Sequence, residues 1–296
     1  MQPSPKDYFD TPSTPIVNEW SEHIDAKSWD QKYPGVLDFI NGIAGPANVI
    51  MQLSWPQVGY GVKESRVESG SVIKHPIKRT RTTFTYLAVA MTGTGEEKKA
   101  FRRAVNGAHA QVYSTEKSPV KYHAMDPQLQ SWVAFCLYKG FIDAYSLLHG
   151  RPEIAHDIDF YKLAQPLGTT LQMREDMWPE TLDGFEKAWQ EGLAKANIDD
   201  TLRAYLHNLT SLRYLSPITR FMFGRFNVFM TTGFLPPELR QQMHYEWSEQ
   251  DQLRFKRTLR WISRFNRLLP RVIRQVSYLG CMWDFRRRLK NKTPLI

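Results

Sequence analysis

The chain has 296 residues, 42% hydrophobic and 13% aromatic, enough to bury a substantial core in one large domain or two small ones. No apolar run approaches the ~20 residues that span a bilayer, and the N-terminus lacks a basic stretch followed by an apolar one, so the sequence reads as cytoplasmic. The formal charge of +9 belongs to the tail: residues 249–296 carry 13 Lys and Arg against 3 Asp and Glu, which leaves the first 248 residues at −1.

Residues 1–17 hold Pro3, Pro5, Pro12 and Pro15 among Ser and Thr and predict an extended arm. Beyond them, apolar residues recur with helical spacing between short breaks such as YPG at 33, GPA at 45, TGTG at 92, HGRP at 149 and LPP at 235. No period-2 runs joined by tight turns occur, so the fold class is all-α, a single large helical domain. A helix carrying His109 opens at Gly95 or Glu96, where two glutamates complement the positive end of its dipole. The next is capped by Asp126 with Pro127 at its first position, runs to Leu148 and stops at Gly150. Another spans Glu249 to Leu269, after which Pro270 starts a new one. Cys136 and Cys281, in no CxxC arrangement, read as reduced thiols.

Several chemistries leave no trace. HExxH, GxGxxG, GxxxxGK[ST] and GxSxG are all missing, and the one ExxH, Glu153 to His156, has no partner for a carboxylate-bridged di-iron site. Of the eight histidines, His109 has the informative surroundings: Ala104, Gly107, Ala108 and Ala110 crowd around it, although a glycine inside a helix costs about 1 kcal/mol relative to alanine. Small neighbours suit an imidazole that brings a wide, flat macrocycle against the helix through an iron bond. They suit close helix–helix packing equally well.

Read in order, GPANVIMQLSWPQVGYGV (45–62), RTRTTFTYL (79–87), AVNGAHAQVY (104–113), YHAMDPQLQSWV (122–133) and LPPELR (235–240) resemble the family of latex-clearing rubber oxygenases and the mycophenolate-pathway oxygenase MpaB. The resemblance covers about residues 36 to 288. It implies a globin-like core over residues 18–248 that holds haem b, with His109 as the axial iron ligand. It also implies oxygenase activity with dioxygen on a hydrophobic, isoprenoid-like substrate. The family's arginine and threonine near the haem, four residues apart, fall on Arg79 and Thr83, with Arg81 and Thr85 as a second register. A lysine that rubber oxygenases place before that threonine is Thr82 here, so a lysine ligand is not implied. Their catalytic glutamate lies upstream of the arginine; Glu64 is the choice, with Glu68 nearby.

In residues 249–296, basic helices expected to pack on the same domain, Arg254, Arg257, Arg260, Arg264, Arg267, Arg271 and Arg274 recur on one helical face. The expectation is that Phe255, Leu259, Ile262, Phe265, Leu269, Val272, Ile273 and Val276 pack on the body while the cations face out. A solvated face ranks first, peripheral contact with an anionic membrane second and nucleic acid third, because no recognition motif accompanies the charge. The competing reading of the whole chain is a non-enzymatic basic helical binding protein in which His109 is structural.

Overall fold

A computed structural model describes residues 25–296; the arm read over 1–17, and the domain start read at 18, lie outside the described residues. Among the described residues every regular element is helical, and one isolated bridge joins Tyr113 to His123. The fold is all-α and forms a single domain. Helices α1 (Ala26–Lys32), α2 (Gly45–Leu53) and α3 (Pro56–Lys63) lead into the longer α4 (Pro76–Thr92) and α5 (Gly95–His109). The central α6 (Pro127–His149) follows, then α7 (Ile158–Ala164), α8 (Pro166–Thr169), α9 (Leu182–Ala194) and α10 (Asp200–Thr210). The chain closes with α11 (Pro217–Phe234), α12 (Pro237–Gln242), α13 (Glu249–Leu268), α14 (Arg271–Arg274) and α15 (Val276–Lys290).

Local chemistry sets the ends that matter. The Asp126 carboxylate accepts from the Gln128 amide at 2.8 Å to start α6, and Gly150, at φ +66°, ends it in the left-handed region that a glycine adopts without strain. Thr94 and Glu97 form a reciprocal capping box that opens α5. Apolar residues leave α6 almost no polar face, so it takes the centre, packed against α2, α8 and α13. Trp132 of α6 lies between Trp55 and Trp189 with ring centroids 5.0 and 5.2 Å away. A side chain at Gly192 would run into the Trp132 ring, so α9 reaches this stack only because that position is glycine. On one flank α4 packs along α15 and α5 packs beside α4. Glu97 of α5 accepts from Arg286 Nε of α15 at 2.7 Å.

The arginine stripe is not one face. Arg254, Arg257, Arg260, Arg264 and Arg267 are exposed on α13, whose inner side buries Phe255, Leu259, Ser263 and Asn266. Leu269 is extended and Pro270 restarts the chain, so the helical phase is lost there. Beyond that break, Arg271 Nε pairs with Asp30 at 3.0 Å and Arg274 Nη1 pairs with Asp38 at 2.9 Å. The same loss of phase leaves Val272, Ile273 and Val276 exposed, contrary to the expectation that they pack inward, and Phe265, at the end of α13, is exposed too. Asp38 is fully buried, and its Oδ2 also accepts from Asn266 Nδ2 at 2.6 Å. Desolvation raises its pKa against those two partners. No helix among the described residues is long and apolar enough to cross a membrane.

Candidate functional site

His109 ends α5, and its ring sits where α5, α6 and the segment after α8 meet. Gln172 Oε1 and Gln130 Nε2 each lie 3.4 Å from its Nδ1. Gln172 is itself oriented by a hydrogen bond that its Nε2 donates to Asn106 Oδ1, one turn before His109 on α5. Gln172 thus presents an acceptor and Gln130 a donor to the same ring nitrogen, so the two amides orient the imidazole without selecting one tautomer. Burial pushes the imidazole pKa down to about 4, and the charge of Arg79 acts in the same direction. His109 is therefore neutral at pH 7, with a basic nitrogen available.

Gly107, two positions before it, lies on the solvent face of α5 with Glu96, Lys99 and Arg103, away from the His109 ring. A Cβ added at Gly107 would meet nothing within 4 Å. His149 shows the contrast: its ring stacks on Tyr145 at 4.8 Å, its Nε2 lies 3.2 Å from Asn41 Oδ1, and a Cβ at Gly35 would collide with it. Both rings are half-buried and held neutral by desolvation, but His149 is committed to Tyr145 and Asn41. His123 lies on the loop after α5, where its Nδ1 accepts from the Met125 amide at 3.1 Å.

Arg79 and Thr83 occupy successive turns of α4. Arg79 Nη1 lies 3.4 Å from Thr83 Oγ1, which in turn donates to the Arg79 carbonyl at 3.1 Å. The Arg79 side chain keeps accessible surface, yet desolvation by the surrounding protein lowers its pKa, and its charge is felt by both His109 and Tyr205. A cation is accessible and deep at once only where it lines a recess. Arg81, two residues on, points elsewhere: it pairs with Asp284 of α15 at 4.0 Å, and Thr85 beside it is buried. Of the two registers, Arg79 with Thr83 is the one on the His109 side.

Glu64 caps the end of α3, where its Oε2 accepts from Ser118 Oγ at 2.7 Å and from the Tyr122 hydroxyl at 2.8 Å. Both partners lie on the loop that leaves His109, so the carboxylate pins that loop to α3. Sequence reasoning did not identify Gln130, Gln172, Asn106 or Tyr205. Gln130 had one visible signal, a long polar side chain within the apolar run of α6. A cleft of about 660 Å³ lies elsewhere, lined by His207, Arg203, Thr232 and Tyr245, and does not include His109 or Arg79.

The recess therefore combines a neutral histidine with a deep cation. Among the described residues no three His, Cys, Asp or Glu side chains gather to hold a bare metal ion. One histidine suits a metal that arrives with its other ligands attached, as in a porphyrin, and an arginine suits that group's carboxylates. The residues present fit haem.

Residues 35–264 match the family described as ER-bound oxygenase mpaB/B'/Rubber oxygenase, catalytic domain. Two mycobacterial proteins described as uncharacterized, Mb2261 of Mycobacterium bovis and Rv2237 of Mycobacterium tuberculosis, are each 47% identical over 250 residues. Each alignment covers 84% of this chain and 98% of the relative. No solved structure matches the chain significantly.

Proposed function

Because the chain belongs to the family of mpaB and rubber oxygenase catalytic domains, we propose that it is a haem b-dependent oxygenase acting with dioxygen on a hydrophobic, isoprenoid-like substrate. The observation that carries this reading is a neutral, desolvated His109 within reach of the charge of Arg79, on the side of α4 away from the Arg81–Asp284 pair. Haem b, when bound, supplies the iron and its redox chemistry. His109 would hold the iron through its imidazole, and Gln172 and Gln130 would orient the ring. Arg79, steadied by Thr83, offers a charge-assisted hydrogen bond to a haem carboxylate, which sets the orientation of the group. The globin-like arrangement of the core, with α4, α5 and α6 around the recess, belongs to this reading.

Glu64 fits a positioning role better than direct proton transfer, since two hydroxyls already donate to one of its oxygens. Peripheral contact with an anionic membrane also belongs to the proposal, because an apolar substrate partitions there.

The test is the absorption spectrum of protein purified from haem-replete cells. A Soret band near one haem per chain, lost in His109→Ala while far-UV circular dichroism stays helical, is the expected result. Wild-type protein that takes up no haem on reconstitution, or a variant with an unchanged spectrum, would overturn it.

A further inference from the structure

The first half of α11 breaks the usual rule for a helix on a protein surface. Ile218, Phe221, Met222, Phe223 and Phe226 are all exposed, Phe221 at 87% and Ile218 at 73% relative accessibility. These residues cover most of the helix circumference, and Gly224 marks the inner side. There the backbone approaches so closely that a Cβ would lie 2.8 Å from the Ser211 carbonyl oxygen. Asn227 Nδ2 adds a second tether, donating to the Thr210 carbonyl at 2.7 Å. The first two turns thus stand off the body on a glycine and an asparagine, with their large apolar side chains in water. Leaving such side chains exposed forfeits about 1.5–3 kcal/mol each relative to burial, so a ridge of this size marks a binding surface.

Charge selects the occupant. Arg220 and Arg225 flank the phenylalanines, and no Asp or Glu occurs anywhere from Thr201 to Pro237. Glu246 and Asp251 line the same groove as Arg220 and Arg225, but Asp251 pairs with Arg254 at 3.8 Å and no ion pair among the described residues holds Arg220 or Arg225. An anionic lipid surface complements both features: its acyl region takes the apolar side chains and its headgroups take the cations.

We propose that the N-terminal half of α11 docks the protein peripherally on anionic bilayers, with Phe221, Met222 and Phe223 inserted and Arg220 and Arg225 at the headgroups. This docking is independent of the exposed arginines of α13 and of any bound haem.

The experiment is co-sedimentation of the full chain with vesicles of phosphatidylserine and phosphatidylcholine in a one-to-two ratio, against phosphatidylcholine alone. Binding to the mixed vesicles, weakened by salt, is expected. Arg220→Gln with Arg225→Gln should weaken it about thirty-fold, from roughly 1 kcal/mol per basic residue at the surface. Phe221→Ser with Phe223→Ser should abolish it at unchanged helicity, since both positions are exposed, whereas Arg257→Gln with Arg264→Gln should change it far less. The proposal fails if the wild type ignores the anionic vesicles, binds neutral ones as well, or keeps its binding in the phenylalanine variant. It fails equally if light scattering shows a dimer that the phenylalanine variant dissolves.

Discussion

Gln172 holds its side-chain oxygen 3.4 Å from His109 Nδ1, and its amide nitrogen is in turn held by Asn106 on the His109 helix. The imidazole is thereby oriented by a residue 63 positions away in sequence. Gln172→Leu removes the acceptor, one of the two side chains that orient the ring. Haem affinity should fall about 10- to 100-fold, the usual cost of losing the partner of a ligating histidine, with little change in helicity. Haem titration followed at the Soret band measures this, and an unchanged affinity would show that the ring needs no such support.

Arg79 and Arg81 make a matched pair of controls. Arg79→Ala should weaken haem retention, because its charge is the one that reaches His109. Arg81→Ala should leave haem binding intact and cost less than about 1 kcal/mol of stability, since its pair with Asp284 is partly exposed at 4.0 Å. Haem titration alongside urea denaturation separates the two effects. The reverse order would move the recess to the other side of α4.

Acid should destabilise the haem-free protein in a defined window. Burial holds His109 and His149 at about 4 instead of 6.5, so between those values the unfolded chain binds a proton at each that the native state refuses. Their stabilisation is complete above 6.5 and declines as pH falls towards 4, at about 1.4 kcal/mol per pH unit per histidine. Asp143 has the opposite sign: burial raises its pKa from 3.8 to about 6, so the native state protonates first and gains stability on acidification. Asp143→Asn removes that opposing contribution, and the urea midpoint should then fall more steeply between pH 6 and pH 4 than in the wild type. Equal slopes would place Asp143 in water.

The parts of the fold that could be read from sequence are those governed by neighbours along the chain. Asp126 with Pro127, Gly150, and Thr94 with Glu97 are local capping devices, and they mark the ends of α5 and α6 in the structure. His109 stood out because the small residues around it are adjacent in sequence. Gln172 carries no such mark, since it meets His109 only through the packing of the segment after α8. The arginine stripe was misread for the same reason. Helical spacing predicts a face only while the helix lasts, and the extended Leu269 resets the angle, so Arg271 and Arg274 turn to Asp30 and Asp38. Nothing in the spacing could show that a buried carboxylate 236 residues earlier was waiting for Arg274.

That separation sets an order of events during synthesis. At about 5–20 residues per second, Asp38 emerges from the ribosome roughly 10–50 s before Arg274 exists. Until then the nascent chain cannot bury Asp38 in its native place without either protonating it or leaving a charge uncompensated. Burial of Asp38 as a charged, paired group therefore depends on Asn266 and Arg274, both from the last thirty-one residues of the chain. A chain ending before Arg271 loses Arg274, the cationic partner of Asp38, and should be cut faster than the full chain in limited proteolysis.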